Sequence, residues 1–234
     1  MVSAIVARVN AHADVADMAK HSSVPVINGL SDDYHPLQTI ADYLTVFEAF
    51  HQRTNAPNPS PASGLGLGGL KIAWVGDANN VLYDLATAAM KLGVNVTVAT
   101  PKGYEIPGVM KKVILASCNG ASFAETNVPE EAVEGADVIV TDTWVSMGQE
   151  AKATKKMKAF EGFQVTADLA KRGGAKDDWK FMHCLPRHPQ EVEDAVFYSP
   201  RSLVFPEAEN RVWSAFCGYS PHSRIGFADF CSCS

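Results

Sequence analysis

The sequence has no feature of a membrane, secreted or nucleic-acid-binding protein. No apolar run reaches the roughly 20 residues that a membrane span requires. Residues 1–20 lack the charged start and apolar middle of a signal peptide, and no other targeting segment is evident. The formal net charge is -6, so no basic field is available to attract nucleic acid. We therefore expect an intracellular protein without membrane or nucleic-acid partners.

Cysteine is scarce and unevenly placed. The chain has five cysteines, an odd count, and Cys217, Cys231 and Cys233 lie within the last 18 residues. A secreted disulfide framework would distribute its cysteines through the fold, so we expect reduced thiols. With 47% apolar and 20% charged residues the composition is that of a globular protein, and 234 residues can bury a sizeable core.

From residue 70 onward the sequence alternates apolar strands with helices. The strands are predicted at Lys71 to Gly76, Asn95 to Thr100, around Ser122, Asp137 to Asp142, and Trp179 to His183. Such near-continuous apolar runs are typical of strands that are buried on both faces and connected by helices. We therefore predict an α/β fold with a doubly wound parallel sheet over residues 70–213.

The region before this sheet has a shorter pattern of strands and helices. An apolar run from Val2 to Val9 and a β-branched strand from Val24 to Ile27 flank a predicted helix. A second helix is predicted from Pro36 to His51, and its helical spacing indicates a buried stripe of Leu37, Ile40, Ala41, Leu44, Phe47 and Phe50. Residues 1–52 therefore look like part of a second α/β unit.

Two stretches have features of a phosphate site. His35 and Gln38 lie at the start of the second helix, where free N–H groups suit a polar or anionic ligand; capping is the alternative for His35. The run from Gly64 to Gly69 precedes a strand, whereas a dinucleotide-binding loop follows one, so we interpret residues 53–69 as a linker. The first strand of the sheet ends in Gly76-Asp-Ala-Asn-Asn80, without the three glycines of a nicotinamide-dependent dehydrogenase.

Polar side chains follow three of the predicted strands. They are Asp77, Asn79 and Asn80; Asp142, Trp144, Ser146, Met147 and Gly148; and His183, Cys184 and Leu185. Ligands bind beyond the carboxyl ends of parallel strands, so these residues predict a small polar pocket suited to a zwitterionic amine. For each residue alone, a role as a helix cap or turn residue is the alternative.

Cys184 lies between two imidazoles at the end of the last strand, where Pro186 forces a turn. Three interpretations are open: a small buried apolar residue, a reactive thiol, or a metal site with His183 and His188. The spacing of the last set fits neither a helical face nor the usual zinc pairs. We expect no metal and no organic cofactor.

Five motifs occur in the order found in one family. They are His35-Pro-Leu-Gln38, Trp74-Val-Gly-Asp-Ala-Asn-Asn80, Asp142-Thr-Trp-Val-Ser-Met-Gly148, His183-Cys-Leu-Pro186 and Phe205-Pro-Glu-Ala-Glu-Asn-Arg211. With them the sequence resembles the ornithine carbamoyltransferases, within the wider transcarbamoylase family. The resemblance implies a partial carbamoyl-phosphate-binding domain at residues 1–52, an ornithine-binding domain at 70–213 and a divergent tail at 214–234.

The resemblance also implies roles for individual residues. Carbamoyl phosphate would be held by Arg8, His35, Gln38, Cys184, Leu185 and Arg211, and ornithine by Asn80, Asp142, Ser146 and Met147. The catalytic residues would be Arg8, His35, Cys184 and Arg211, with Cys184 sensing or accepting the proton of the attacking amine. The products would be citrulline and phosphate, and the family assembles as a homotrimer.

The chain departs from the family pattern at both ends. It contains no Ser-Thr-Arg-Thr-Arg phosphate motif, and residues 214–234 have no helical stripe where the family continues into a long helix. We expect low turnover from this chain alone. The alternative is a non-catalytic ornithine-binding or regulatory fragment that associates with complete subunits. Relatives work in the mitochondrial matrix in eukaryotes and in the cytoplasm in bacteria.

Overall fold

The architecture is taken from a computed structural model, which describes residues 2–51, 65–145 and 153–219. These residues form two parallel sheets. The smaller sheet pairs β1 (Ile5–Arg8) with β2 (Val26–Leu30). The larger contains β3 (Lys71–Val75), β4 (Asn95–Ala99), β5 (Phe123–Thr126), β6 (Val138–Val140) and β7 (Lys180–Met182).

The larger sheet has the strand order β5-β4-β3-β6-β7, and all of its neighbouring strands are parallel. The chain adds strands on one side of β3 and then returns to add β6 and β7 on the other. This reversal confirms the predicted doubly wound sheet. It also places a crevice between the ends of β3 and β6, where such sheets bind ligands.

Helices cover both faces of the larger sheet. Their bounds are α1 His12–His21, α2 Pro36–Phe50, α3 Asn80–Leu92, α4 Gly108–Ala116, α5 Pro129–Val133, α6 Ala153–Ala159, α7 Ala167–Arg172, α8 Asp194–Phe197 and α9 Val204–Tyr219. Among the described residues, none of these helices combines the length and apolarity that crossing a membrane requires.

The hydrophobic core is divided between the two faces because alternate residues of each strand point in opposite directions. From β3, Ile72 and Trp74 pack in the cluster with the side chains of α3, whereas Ala73 and Val75 join the cluster that contains Phe160 and Leu169. The strands are therefore buried on both sides, as their continuous apolar sequence predicted.

In helix α2, burial extends beyond the predicted apolar stripe. Leu37, Ala41 and Phe50 of the stripe are buried, and Ile40, Leu44 and Phe47 are partly buried. The polar flank is buried as well, because α9 packs against it. The Asn210 side-chain amide of α9 donates to Thr45 Oγ1 at 3.0 Å and to Glu48 Oε2 at 2.8 Å of α2.

Helix α9 corrects the expectation for the end of the chain. The absence of a helical stripe after Trp213 predicted no helix there, yet α9 continues to Tyr219. Ser214 is fully buried, and its hydroxyl donates to the Arg211 carbonyl at 3.0 Å. Packing against α2 therefore overrides the weak local pattern. Residues 220–234 of the predicted tail and 52–64 of the predicted linker lie outside the described residues.

Candidate active site at the strand ends

The crevice begins where β3 turns into the loop before α3. Gly76 has φ of 147°, a region that favours glycine. A Cβ atom there would lie 3.0 Å from Thr141 Oγ1 and 3.1 Å from Trp144 Nε1, both on the segment that follows β6. Glycine thus permits the ends of β3 and β6 to approach closely.

Asp142 connects all three strand ends. Its Oδ2 accepts a hydrogen bond from Asn79 Nδ2 at 2.6 Å, and its Oδ1 accepts one from Cys184 Sγ at 3.0 Å. Asn79 also caps α3, because its Oδ1 accepts from the backbone N–H groups of Val81 and Leu82. The structure therefore brings three of the predicted rim residues together, Asn79, Asp142 and Cys184, and Asn79 serves both as a cap and as a rim contact.

Cys184 is a neutral thiol in this setting. Burial raises the pKa of the thiol well above its ordinary value, and the neighbouring Asp142 carboxylate raises it further. The thiol donates its proton toward Asp142. Acceptance of a proton from an amine requires a thiolate, which this environment disfavours, so the geometry supports a donor role instead.

The His183 side chain fixes the backbone of the loop after β7. Leu185 N–H donates to His183 Nδ1 at 2.9 Å, which leaves the imidazole proton on Nε2, within 3.1 Å of Glu191 Oε2. This is the neutral tautomer. Leu185 has φ of 64°, an unusual conformation for a residue other than glycine, and its hydrogen bond to His183 stabilises it.

Potential metal ligands are close together here, with Asp142, His183 and Cys184 offering atoms within 4.8 Å of one another. Hydrogen bonds already occupy both His183 ring nitrogens and the Cys184 thiol, so these contacts account for the cluster. His188, which the sequence offered as a third ligand with His183 and Cys184, directs its Nδ1 to Glu191 Oε1 at 3.0 Å.

Glu191 organises the loops and was not identified from the sequence. It is fully buried and accepts from the Trp144 and His188 backbone N–H groups and from the rings of His183 and His188. Burial acts to raise its pKa, but the hydrogen bonds from His183 and His188 outweigh this effect and lower the pKa. Glu191 therefore holds the loops after β6 and β7 together as an ionised carboxylate.

His35 lies at the N-cap position of α2 and is buried. Its pKa is lowered to about 3, chiefly by burial and further by the positive charges of Arg211 and Arg8. The ring is therefore neutral at physiological pH. Its backbone N–H donates to Asp84 Oδ2 at 2.6 Å, which ties the start of α2 to α3. Its Nδ1 is buried without a partner among residues 2–51, 65–145 and 153–219.

Two arginines approach His35 from different elements. Arg8 ends β1 and is exposed, whereas Arg211 lies on α9 and interacts electrostatically with Asp42 and Cys184. Burial lowers the pKa of the Arg211 guanidinium. Its Nη1 is buried and has no hydrogen-bond partner in the part of the chain that the structure describes. Residues predicted from the two ends of the chain thus converge on one side of the crevice.

Gln38 belongs to a buried acidic network that the sequence did not reveal. Its Nε2 donates to Asp42 Oδ1 at 2.7 Å and to Glu207 Oε1 at 3.0 Å. Burial raises the pKa of Asp42 and, together with the charge of Asp42, that of Glu207. The available sequence signal was the spacing of Gln38 and Asp42, one turn apart in an otherwise largely apolar helix.

Asn80 and Asp77, two further predicted residues, form bonds with other parts of the chain. Asn80 Nδ2 donates to the Ser31 carbonyl at 2.6 Å, so in this structure it connects α3 to the loop between β2 and α2. Asp77 forms an ion pair with Lys156 at 2.5 Å. Ser146 and Met147, predicted to bind ornithine, lie outside the described residues.

A doubly wound α/β domain with a carboxylate, an amide and a thiol at the strand reversal has the arrangement in which open parallel sheets bind ligands. Comparison with protein families assigns both parts of the chain. Residues 68–216 match the aspartate/ornithine carbamoyltransferase Asp/Orn binding domain, and residues 1–48 match the carbamoyl-P binding domain. The chain therefore belongs to the aspartate/ornithine carbamoyltransferase family.

Several relatives within this family are named as ornithine carbamoyltransferases or transcarbamylases. A mitochondrial ornithine carbamoyltransferase from Aspergillus terreus is 65% identical over 219 residues, covering 92% of this chain and 59% of the relative. A mitochondrial ornithine transcarbamylase from Gallus gallus is 50% identical and covers 96% of this chain and 62% of its own length.

Solved structures agree with these relatives. The crystal structure of a mitochondrial ornithine carbamoyltransferase from Coccidioides immitis has a TM-score of 0.82 and 61% identity, covering 92% of this chain and 64% of that one. Ornithine carbamoyltransferase from Pyrococcus furiosus has a TM-score of 0.79 and 47% identity, covering 91% and 64%. The chain thus spans about 60% of the length of the proteins it matches.

Proposed function

We propose that the chain takes part in the transfer of a carbamoyl group from carbamoyl phosphate to the side-chain amine of ornithine, giving citrulline and phosphate. The observation that carries this proposal is the junction at Asp142, whose carboxylate meets Asn79 and Cys184 at the strand reversal. The family assignment supports the choice of substrates, because the names of the curated relatives specify ornithine.

The carbamoyl phosphate side of the crevice consists of Arg8, His35, Gln38, Leu185 and Arg211. A neutral His35 donates an N–H, and Arg8 adds a positive charge, where the attacked carbamoyl oxygen becomes negative. Arg211 offers a buried guanidinium N–H that has no partner among the described residues, which suits an anionic ligand. Gln38 and the loop around Leu185 orient the carbamoyl group for attack.

The ornithine side consists of Asn80 and Asp142, with Ser146 and Met147 as further predicted contacts. Asp142 binds the α-ammonium group of the amino acid, and Asn80 binds the α-carboxylate. Cys184 donates to Asp142 and keeps its carboxylate correctly directed. The Asp142 junction therefore fixes the direction in which the side-chain amine of ornithine approaches the carbamoyl carbon.

Assembly and location follow the same relatives. We propose that the chain functions within a homotrimer, as in the family. Its location is then the mitochondrial matrix in a eukaryote, since the similar fungal and avian proteins are named as mitochondrial, and the cytoplasm in a bacterium.

The second candidate function is that of a non-catalytic, ornithine-binding or regulatory fragment that associates with complete subunits. The observation that favours it is the absence of a Ser-Thr-Arg-Thr-Arg motif from these 234 residues. The resemblance assigns contacts to the transferring phosphate to this motif. Each contact of this type is typically worth about 10² to 10³ in rate, so the chain alone would turn over slowly.

The test is citrulline formation by the purified chain with saturating carbamoyl phosphate and ornithine, alongside calorimetric titration with ornithine. Asp142→Ala is the site variant, and Asp17→Ala, at an exposed position of α1, is the matched control. Citrulline formation that Asp142→Ala abolishes supports catalysis. Ornithine binding that requires Asp142, without citrulline, supports the fragment. Binding that is equal in both variants contradicts the assigned site.

A further inference from the structure

The side-chain amide of Gln38 is held in one orientation. Gln38 is buried on α2, one turn after His35, and both hydrogens of its Nε2 have carboxyl acceptors, Asp42 Oδ1 at 2.7 Å and Glu207 Oε1 at 3.0 Å. An amide nitrogen has only these two hydrogens to donate. The carbonyl oxygen Oε1 is therefore the end of the amide that takes no part in this network.

Charge makes the opposite orientation unfavourable. If the amide rotated by half a turn, Oε1 would lie against the oxygens of two buried carboxyl groups and would repel them. Burial raises the pKa of both acids, so the pair holds a proton more readily than an exposed pair, while Arg211 beside them favours negative charge. At least one carboxyl oxygen of the pair is therefore available to accept a hydrogen bond from Gln38 Nε2.

The same network extends to the opposite wall of the crevice. The second carboxyl oxygen of Glu207, Oε2, accepts the backbone N–H of His183 at 3.0 Å, immediately before Cys184 and Leu185. Glu207 lies on α9 and thus joins α2 to the loop after β7 through one fully enclosed side chain. We therefore expect a change at Glu207 to affect the positions of both Gln38 and the Cys184 segment.

We propose that Asp42 and Glu207 are positioning residues that determine acyl-group specificity. By binding the Nε2 end of Gln38, they present Oε1 as a fixed hydrogen-bond acceptor to the bound acyl phosphate. A carbamoyl group offers N–H donors to this acceptor, whereas an acetyl group of nearly equal size offers a methyl group. This inference rests on the proposed function, because it concerns the carbamoyl side of the same crevice.

The expected discrimination is large. A site built to hydrogen-bond an N–H group rejects an analogue that lacks it, because the buried acceptor of the site is then left unpaired. We expect carbamoyl phosphate to bind at least about 100-fold more tightly than acetyl phosphate, a conservative figure for such sites. Inorganic phosphate has no N–H group to donate to Gln38 Oε1 and serves as a reference for the phosphate contacts alone.

The first test reads the orientation of Gln38 without any ligand. In a chain carrying ¹⁵N in its glutamine side-chain amides, both Nε2 hydrogens of Gln38 should exchange more slowly with solvent than those of partly exposed Gln190. Glu207→Gln and Asp42→Asn, which keep the side-chain volume, should accelerate this exchange. Glu209→Gln, at an exposed position of α9, should leave it unchanged.

Glu207→Asp keeps a carboxylate on a shorter side chain and should recover part of the slow exchange. It also provides a second variant if Glu207→Gln does not fold, with near-ultraviolet circular dichroism reporting folding. Exchange at Gln38 that is fast in the unmodified chain, or that is equally slow in folded Glu207→Gln and Asp42→Asn, would overturn the assignment.

The second test measures selectivity by titrating the full chain and the same variants with carbamoyl phosphate, acetyl phosphate and inorganic phosphate. The dissociation constant for acetyl phosphate divided by that for carbamoyl phosphate should fall at least about 10-fold in Glu207→Gln and Asp42→Asn, with phosphate affinity unchanged. An unchanged ratio, together with carbamoyl selectivity in the unmodified chain, contradicts only the role of Asp42 and Glu207. Binding of neither acyl phosphate contradicts the proposed function itself and, with it, the selectivity.

Discussion

Replacement of Glu191 tests whether one buried carboxylate holds the site together. Glu191 is fully buried and accepts four hydrogen bonds, two from His188, one from Trp144 and one from His183. Glu191→Ala removes both acceptor oxygens and with them all four bonds, whereas Glu191→Gln keeps the volume and one acceptor oxygen. The two substitutions therefore separate the loss of hydrogen bonds from the loss of charge.

The loss of stability depends on which of the donors left without an acceptor can hydrogen-bond to water instead. His188 is exposed enough for its ring to be rehydrated, with 44% of its side chain accessible. The Trp144 N–H and the His183 Nε2–H are buried, and each unsatisfied buried donor costs about 1–3 kcal/mol. We expect Glu191→Ala to lower the free energy of unfolding by about 2–6 kcal/mol and Glu191→Gln by about 1–3 kcal/mol. Domains of this size are stable by about 5–15 kcal/mol, so the loss is a substantial fraction.

The assay is urea unfolding followed by tryptophan fluorescence and circular dichroism, with the dependence on urea concentration compared among variants. Glu209→Gln, exposed on α9, is the matched control and should change stability by less than about 0.5 kcal/mol. If Glu191→Gln were as stable as this control, the argument that Glu191 joins the two loops would be wrong.

Three further changes probe other features of the fold. Gly76→Ala should destabilise by about 1–3 kcal/mol because of the positive φ and the close contacts, whereas Gly108→Ala, with open space around it, should be neutral in the same thermal melts. Burial raises the pKa of Asp84 from 3.8 to about 7, so its stabilising contribution is present below pH 4 and is lost as the pH rises through 7. Asp84→Asn should therefore be neutral at pH 4 and stabilising by about 1–2 kcal/mol at pH 8 in chemical denaturation, and a stabilisation independent of pH would contradict this assignment. Lys156→Met leaves the partly buried Asp77 without this partner and should cost about 1–3 kcal/mol; equal stability of Lys156→Met and the unmodified chain in urea would show that the pair contributes nothing.

Most of the larger sheet could be predicted because its strands are continuous apolar runs between clear turn residues. The rim residues Asn79, Asp142 and Cys184 could also be predicted, since parallel strands place their carboxyl ends at one edge and these residues follow three strands. Their mutual contacts required the strand order, which the local sequence does not specify. The order places β3, β6 and β7 side by side.

The buried acids could not be predicted, for a physical reason. Glutamate and aspartate are usually exposed, so Glu191 and Glu207 have no local feature that distinguishes them from surface residues, and Asp42 has only its spacing from Gln38 on a largely apolar helix. The donors that keep them buried are distant in sequence: Trp144 is separated from Glu191 by 47 residues and Gln38 from Glu207 by 169 residues. Only tertiary packing reveals which acids are enclosed.

The packing of α2 against α9 has a consequence for synthesis on the ribosome. Thr45 and Asn210, which bond across this interface, are separated by 165 residues. At about 5–20 residues per second, α2 leaves the ribosome roughly 10–30 s before the helix that covers its polar flank. Protease protection of α2 in stalled nascent chains should therefore appear only after Tyr219 has emerged. Until then the polar flank of α2 lacks its cover, so this interface links the protection of α2 to the synthesis of α9.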